Sequence, residues 1–221
     1  MAAITPRQRA RSPEAKRLRE RDILAAARAL ATERSVREVT LTDVAAAVGM
    51  HKSAMLRYFE TREQIYLTLT AEEWREWTTA VRARLEHLDT VDAGTVAATI
   101  AESLASRPFF CDLLAQAPLN LERNVSLEAA YQFKTIALAQ VDTIAEALHR
   151  LLGITALQAL DVVATATSMA GALWQMAAPG TRLRDLYETH PELAHAAVNV
   201  GPQLTRILTA LLTGMRTTLQ A

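Results

Sequence analysis

The twenty-three residues from Thr40 to Arg62, TLTDVAAAVGMHKSAMLRYFETR, constrain this chain more than any other stretch. Thr40 suits a helix N-cap, and Asp43 three residues on completes a capping box. Leu41, Val44, Ala45 and Val48 then fall on one face of a helix. Gly49 ends that helix, because glycine alone enters the left-handed conformation without a steric cost. A second short helix is expected from Lys52, turning Met55 and Phe59 toward the same core. Two short helices about a tight glycine turn form a helix-turn-helix, whose second helix fits the DNA major groove. A small helical hairpin with no such role shows the same bare pattern.

The face left over decides between the two. Lys52, Ser53, Ala54, Arg57 and Tyr58 are small, cationic or hydrogen-bonding, and no acid lies between Asp43 and Glu60. Small residues let a helix approach base edges, while Lys and Arg donate to guanine or phosphate. The expected DNA surface is this set with His51 at its leading edge. Thr40, Thr42 and Arg62 are expected to support it at the backbone, Arg62 opening the next helix behind Thr61.

The runs T-x-x-D-V-A-x-x-V-G and H-K-S-A-M-L-R-Y-F-E-T-R-E carry a family likeness. Residues 18 to 66 resemble the N-terminal domain of TetR-type transcriptional repressors, with Ala45, Gly49, Phe59 and Arg62 at the matching spacing. The resemblance implies a three-helix DNA-binding head and a long fourth helix. It also implies an all-helical ligand-binding and dimerisation body, and release from DNA when ligand binds. Two positions depart from the family's habit: Leu56 stands where a tyrosine, often a phosphate contact, is usual, and His51 where a small capping residue is usual. No phosphate role passes to Leu56.

Charge supports the same division of labour. The chain of 221 residues has a formal net charge of zero, but residues 1–66 hold 13 Lys and Arg against 8 Asp and Glu, and the rest hold 11 against 16. A basic head on an acidic body suits a protein presenting one end to DNA, although chance asymmetry gives the same counts. Half of the residues are apolar, enough for a sizeable core. Ala and Leu dominate, so the expected fold class is all-α. The single cysteine, Cys111, fits a reducing compartment. Residues 1–22 lack the apolar run of a secretion signal, and no stretch approaches the ~20 apolar residues of a membrane span. A soluble, cytoplasmic protein is expected.

Three parts are expected: a disordered basic tail at 1–13, the helix-turn-helix domain at 14–66, and a helical ligand-binding and dimerisation domain at 67–221. Arg7, Arg9 and Arg11 of the tail suit a minor-groove arm as well as a merely solvated segment. A first helix from Glu14 to about Glu33 sets Leu18, Ile23, Ala27, Leu30 and Ala31 inward. A long helix from Arg62 to about Leu88 suits a rod joining head to body. Further helices are expected at about 95–106, from Pro108, at 126–152, at 156–178 and at 202–219. The segment between the last two, which holds His190-Pro191, reads as a loop.

The helix at 156–178 is apolar or small nearly all round, and so requires cover on every side. With the helix at 202–219 it forms half of a four-helix bundle across a two-fold axis, hence an expected homodimer on a palindromic operator. Burial within a monomer satisfies the same pattern. A ligand pocket is expected among Phe109, Phe110, Leu114, Tyr131, Phe133, Met169, Trp174 and Met176, unless these merely pack the core. Its ligand should be a small, largely apolar and neutral molecule, since no cluster of like charges is present to neutralise an ion.

Enzyme chemistry finds no footing. The five histidines show no metal spacing, no phosphate-loop or paired-cysteine motif exists, and Cys111 sits among Phe109, Phe110 and Leu113. No cofactor and no metal are expected. The remaining alternative is an all-α protein-interaction module. The salt dependence of duplex binding separates it from a DNA-binding regulator.

Overall fold

Side chains that satisfy free backbone amides start most of the helices in the computed structural model, which describes residues 13–177 and 179–218. Thr40, Thr61, Asp92, Ser126 and Thr181 each accept from an amide of the first turn, and Thr155 accepts from Gln158. The helices are α1 (Pro13–Arg34), α2 (Leu41–Ala47), α3 (Lys52–Met55), α4 (Arg62–Glu86), α5 (Ala93–Ala105) and α6 (Pro108–Gln116). They continue as α7 (Leu127–Leu152), α8 (Ala156–Ala177), α9 (Arg182–Thr189) and α10 (Val200–Thr218), with 3₁₀ turns at Leu121–Arg123 and Pro191–Ala196. The fold is all-helical, with no strand among the described residues. The tail with Arg7, Arg9 and Arg11 lies outside those residues.

In the head, α1 lies across α2 and α4, and Ile23, Ala27, Val36, Val44, Met55, Ile65 and Tyr66 are buried together. Leu18 departs from expectation: it is 53% exposed, because the first turns of α1 run out beyond the elements that cover Ile23. In the body, α5 packs along α10, α6 along α8, and α7 against both α4 and α8. Trp74, Trp77 and Phe110 meet edge to face or tilted, with centroids 5.5–5.8 Å apart. The Trp77 indole donates to Ser103 Oγ at 2.9 Å, so its polar edge is satisfied within the core. Burial pushes the Cys111 thiol up to about 12, which leaves it an inert filler.

Gly171 explains how α6 and α8 come so close. A Cβ there would stand 2.8 Å from the Ala115 amide nitrogen, closer than real Cβ contacts allow.

Three further findings differ from expectation. Residues 182–189 form a helix, α9, which buries none of its residues; the Thr181 cap and the Arg184–Glu188 pair favour helix there, and it packs against the 3₁₀ turn that follows. α8 is not covered all round: Leu157 is 69% and Met176 55% exposed, with Asp161, Ala164, Ser168 and Ala172 on the same outer face. α8 is also long and apolar enough, by length and composition, to cross a bilayer. In this fold its inner face packs on α6, α7 and α10.

Head and body are tied at several points. Asp112 on α6 accepts the Val36 amide on Oδ2 at 2.6 Å and the Gln175 amide on Oδ1 at 2.9 Å. Arg28 on α1 pairs with Glu73 and Glu72 of α4, and its guanidinium lies 5.1 Å from the centre of the Phe109 ring. Glu60, just after the α3 turn, accepts the Ser126 amide at 2.7 Å.

Candidate nucleic-acid interface

The interface begins with the Thr40 capping box. Asp43 N donates to Thr40 Oγ1 at 3.2 Å, and the Thr40 amide and hydroxyl donate to Asp43 Oδ2 at 2.8 and 2.7 Å. The two donors hold the Asp43 carboxyl below the usual range, the Thr40 hydroxyl contributing most. The Thr40 hydroxyl is therefore engaged in the cap, whereas Thr42 is exposed on α2.

Gly49 turns the chain at φ +63°, and the Met50 amide closes back on the Ala45 carbonyl at 2.8 Å. α3 then starts at Lys52 behind His51, whose side chain makes no capping hydrogen bond. Four residues of helix are followed by a turn in which the Tyr58 and Phe59 amides reach Met55 O at 2.8 and 3.1 Å. Helical geometry thus continues to Phe59, placing Met55 and Phe59 in the core.

The outer face is the expected one in arrangement. His51, Lys52, Ser53 and Arg57 are exposed, Ala54 and Tyr58 half-buried, and Leu56 is 53% exposed beside them. Two cations, two small residues and an imidazole share one acid-free surface, suited to a polyanion. Leu56 presents a bare apolar side chain that can meet a thymine methyl but no phosphate.

Arg62 corrects the expectation of a cation on the DNA backbone. Its side chain is only 13% exposed, and its guanidinium donates to the Val39 and Val36 carbonyls and to Glu63 Oε1 at 2.8 Å. It also lies 4.9 Å from the centre of the Tyr66 ring. Arg62 braces the turn between α1 and α2 from inside the head. Sequence spacing puts a cation at the start of α4; only the fold brings two free carbonyls to it.

Residues 23–69 match the family model described as bacterial regulatory proteins, tetR family. Residues 71–218 match the one described as Tetracyclin repressor-like, C-terminal domain. The chain belongs to the TetR family. It is a DNA-binding transcriptional regulator.

Among solved structures, the fatty acid degradation regulator FadR from Bacillus halodurans superposes with TM-score 0.55 at 14% identity, covering 88% of this chain and 97% of that one. FadR from Bacillus subtilis, solved in complex with stearoyl-CoA, gives 0.52 at 16%, covering 81% and 99%. A TetR/AcrR-family regulator from Thermobifida fusca gives 0.50 at 18%, covering 86% and 96%. At these identities the likeness is one of fold. No curated protein matches the sequence.

Within this TetR-family body the eight residues expected to line a pocket do not gather in one place. Phe110 and Phe133 are buried, Leu114 and Met169 are half-buried, and Tyr131 and Met176 are exposed. Phe109 and Trp174 line a cleft of about 520 Å³ where the end of α1 and the α1–α2 turn meet α6 and the end of α8. Adjacent on a helix, Phe109 and Phe110 point about 100° apart, which sends one to the cleft and the other to the tryptophans.

Proposed function

We propose that the protein is a cytoplasmic repressor that binds a palindromic operator as a homodimer and leaves it when a small, largely apolar molecule binds the body. The observation that carries the DNA half is the acid-free outer face of exposed His51, Lys52, Ser53 and Arg57 with half-buried Ala54 and Tyr58, on a capped helical unit. Selection of bound duplexes from a random DNA pool tests it. An inverted repeat is the expected result; unrelated sequences, or binding that ignores salt, would reject it, since each phosphate contact releases counterions.

The outer faces of α8 and α10 support the homodimer. Leu157, Asp161, Ala164, Ser168, Ala172 and Met176 run along α8 at helical spacing, and Arg206, Ala210 and Gly214 along α10. Small residues let paired helices approach closely, and Asp161 and Arg206 offer opposite charges for pairing across a two-fold axis. Release by ligand requires that the ligand prefer a head spacing the operator does not. Titrating the operator complex with a panel of apolar compounds tests that step; a complex that none of them dissociates counts against it.

A further inference from the structure

The cleft at the junction of head and body has a wall drawn from both. Glu33, Arg34, Ser35, Arg37 and Glu38 come from the head, and Phe109, Asp112, Trp174 and Gln175 from the body. At about 520 Å³ it falls in the range of small-molecule sites. Its apolar surface comes from the Phe109 ring and the Trp174 indole. The charges are three carboxylates, Glu33, Glu38 and Asp112, against two guanidiniums. Arg34 is drawn toward Asp43, 3.8 Å away and outside the wall; Arg62, whose charge acts on Asp112, pairs with Glu63, and Arg28, over the Phe109 ring, pairs with Glu72 and Glu73, so the acids of the wall keep a small excess. Two helix C-termini, of α1 and α8, and two N-termini, of α6 and α9, meet nearby, so their dipoles offset each other and the side chains decide the sign.

Asp112 sits at the seam, 4% exposed, with one oxygen held by Val36 of the head and the other by Gln175 of the body. Each oxygen keeps a further lone pair for a donor. The neighbouring Ser35 adopts φ +110°, a conformation that favours glycine, and no other non-glycine among the described residues has a positive φ. Strain of this kind persists only where the surroundings hold it, and here it lies on the turn that carries the head.

We propose that this cleft binds a small molecule with an apolar, aromatic body and a single positive charge, and that its occupation fixes the angle between head and body. The apolar body lies against Phe109 and Trp174, and the cationic group faces Asp112 and Glu38. The cationic group separates this ligand from the neutral one that composition suggests, because Asp112 of α6 joins Glu33 and Glu38 of the head only in the fold. The site rests on the reading of the protein as a ligand-controlled regulator only for its consequence, not for its existence.

Calorimetric titration of the intact protein with 2-phenylethylamine, 2-phenylethanol and phenylacetate tests the charge rule on one apolar body. The amine should bind about tenfold more tightly than the alcohol, as expected for a cation among aromatic and acidic groups, and phenylacetate should bind most weakly. Glu38→Gln, an exposed position whose change spares the fold, should abolish most of the amine's advantage; Trp174→Ala should weaken amine and alcohol together. Equal binding of the amine and the alcohol, preference for phenylacetate, or no heat from the amine at millimolar concentration overturns the site. With operator bound, the amine should change DNA affinity in the wild type and not in Trp174→Ala; an affinity unmoved in both overturns the coupling. A protein that binds the amine but selects no DNA keeps the cleft and rejects the repressor reading instead.

Discussion

Arg62 and Asp112 show how single residues hold the head in place. Arg62 satisfies two carbonyls, Val36 and Val39, that no helix pairs, and no other side chain can bring a planar fork to both. Arg62→Ala should therefore cost about 2–3 kcal/mol of stability, the penalty for carbonyls left unmet, with Arg62→Lys recovering little of it. Urea unfolding measures this; a loss confined to DNA affinity would restore Arg62 to the phosphate backbone. Lys52→Ala and Arg57→Ala should do the opposite, leaving the unfolding midpoint in place and weakening operator binding, by about 1–3 kcal/mol where the residue reads a base. Asp112 carries a pH signature. Burial raises its pKa above the ordinary 3.8, against the hydrogen bonds from Val36 and Gln175 that lower it. The native state thus takes up this proton at a higher pH than the unfolded chain does. The stability it confers is complete below the ordinary value and is lost as pH rises through the raised one. Asp112→Asn, neutral throughout with the Gln175 amide free to flip, should flatten that loss; thermal melts across the acid range check it. A midpoint that falls with Asp112→Asn at every pH would show that the ionised carboxylate is the better partner for Val36.

Among elements, α6 and α8 approach closely, and Gly171 permits the distance. Gly171→Ala must push α8 from the Ala115 backbone, costing about 1–3 kcal/mol as overpacking does, even though alanine is the better helix former. An unchanged melting temperature would mean that the helices part freely. This close approach is invisible in the sequence, where Gly171 is one more small residue in an apolar run. What local chemistry governs is legible there: the Thr40, Thr61, Asp92 and Ser126 caps, the Gly49 turn and the apolar periodicity of α4 and α7 all act within a few residues. What depends on a distant partner is not. The inward turn of Arg62, the parting of Phe109 from Phe110 and the acids around the cleft are set by helices that meet only in the fold. α9 escaped notice for a different reason: Leu183, Leu186 and Tyr187 fall at helical spacing but over only eight residues, and its Thr181 cap stands just after Pro179-Gly180, a strong loop signal.

At the scale of the whole molecule, the proposed dimer presents two heads to DNA at once, and their spacing is where the proposed effector would act. The body holds each head through Asp112 to Val36, Arg28 to Glu73 and Glu60 to Ser126, so a shift of α6, α4 or α7 is passed to the recognition unit. In the proposed dimer, the outer faces of α8 and α10 set the distance between the two bodies. Half-sites then fall about one helical turn, ~34–36 Å, or a multiple apart. Ser168 lies midway along the exposed stripe of α8, between Ala164 and Ala172, where a large cation has no room in a close helix pair. Ser168→Arg should leave the circular dichroism melt of the monomer fold intact, because the residue is exposed, yet shift sedimentation toward monomer. Operator affinity should fall steeply with it, since one head alone gives up half of the contacts and the avidity that links them. A Ser168→Arg protein that sediments as a dimer and still binds the inverted repeat would place the two-fold axis on another face, with the exposed Leu127, Tyr131 and Leu138 of α7 the next to test.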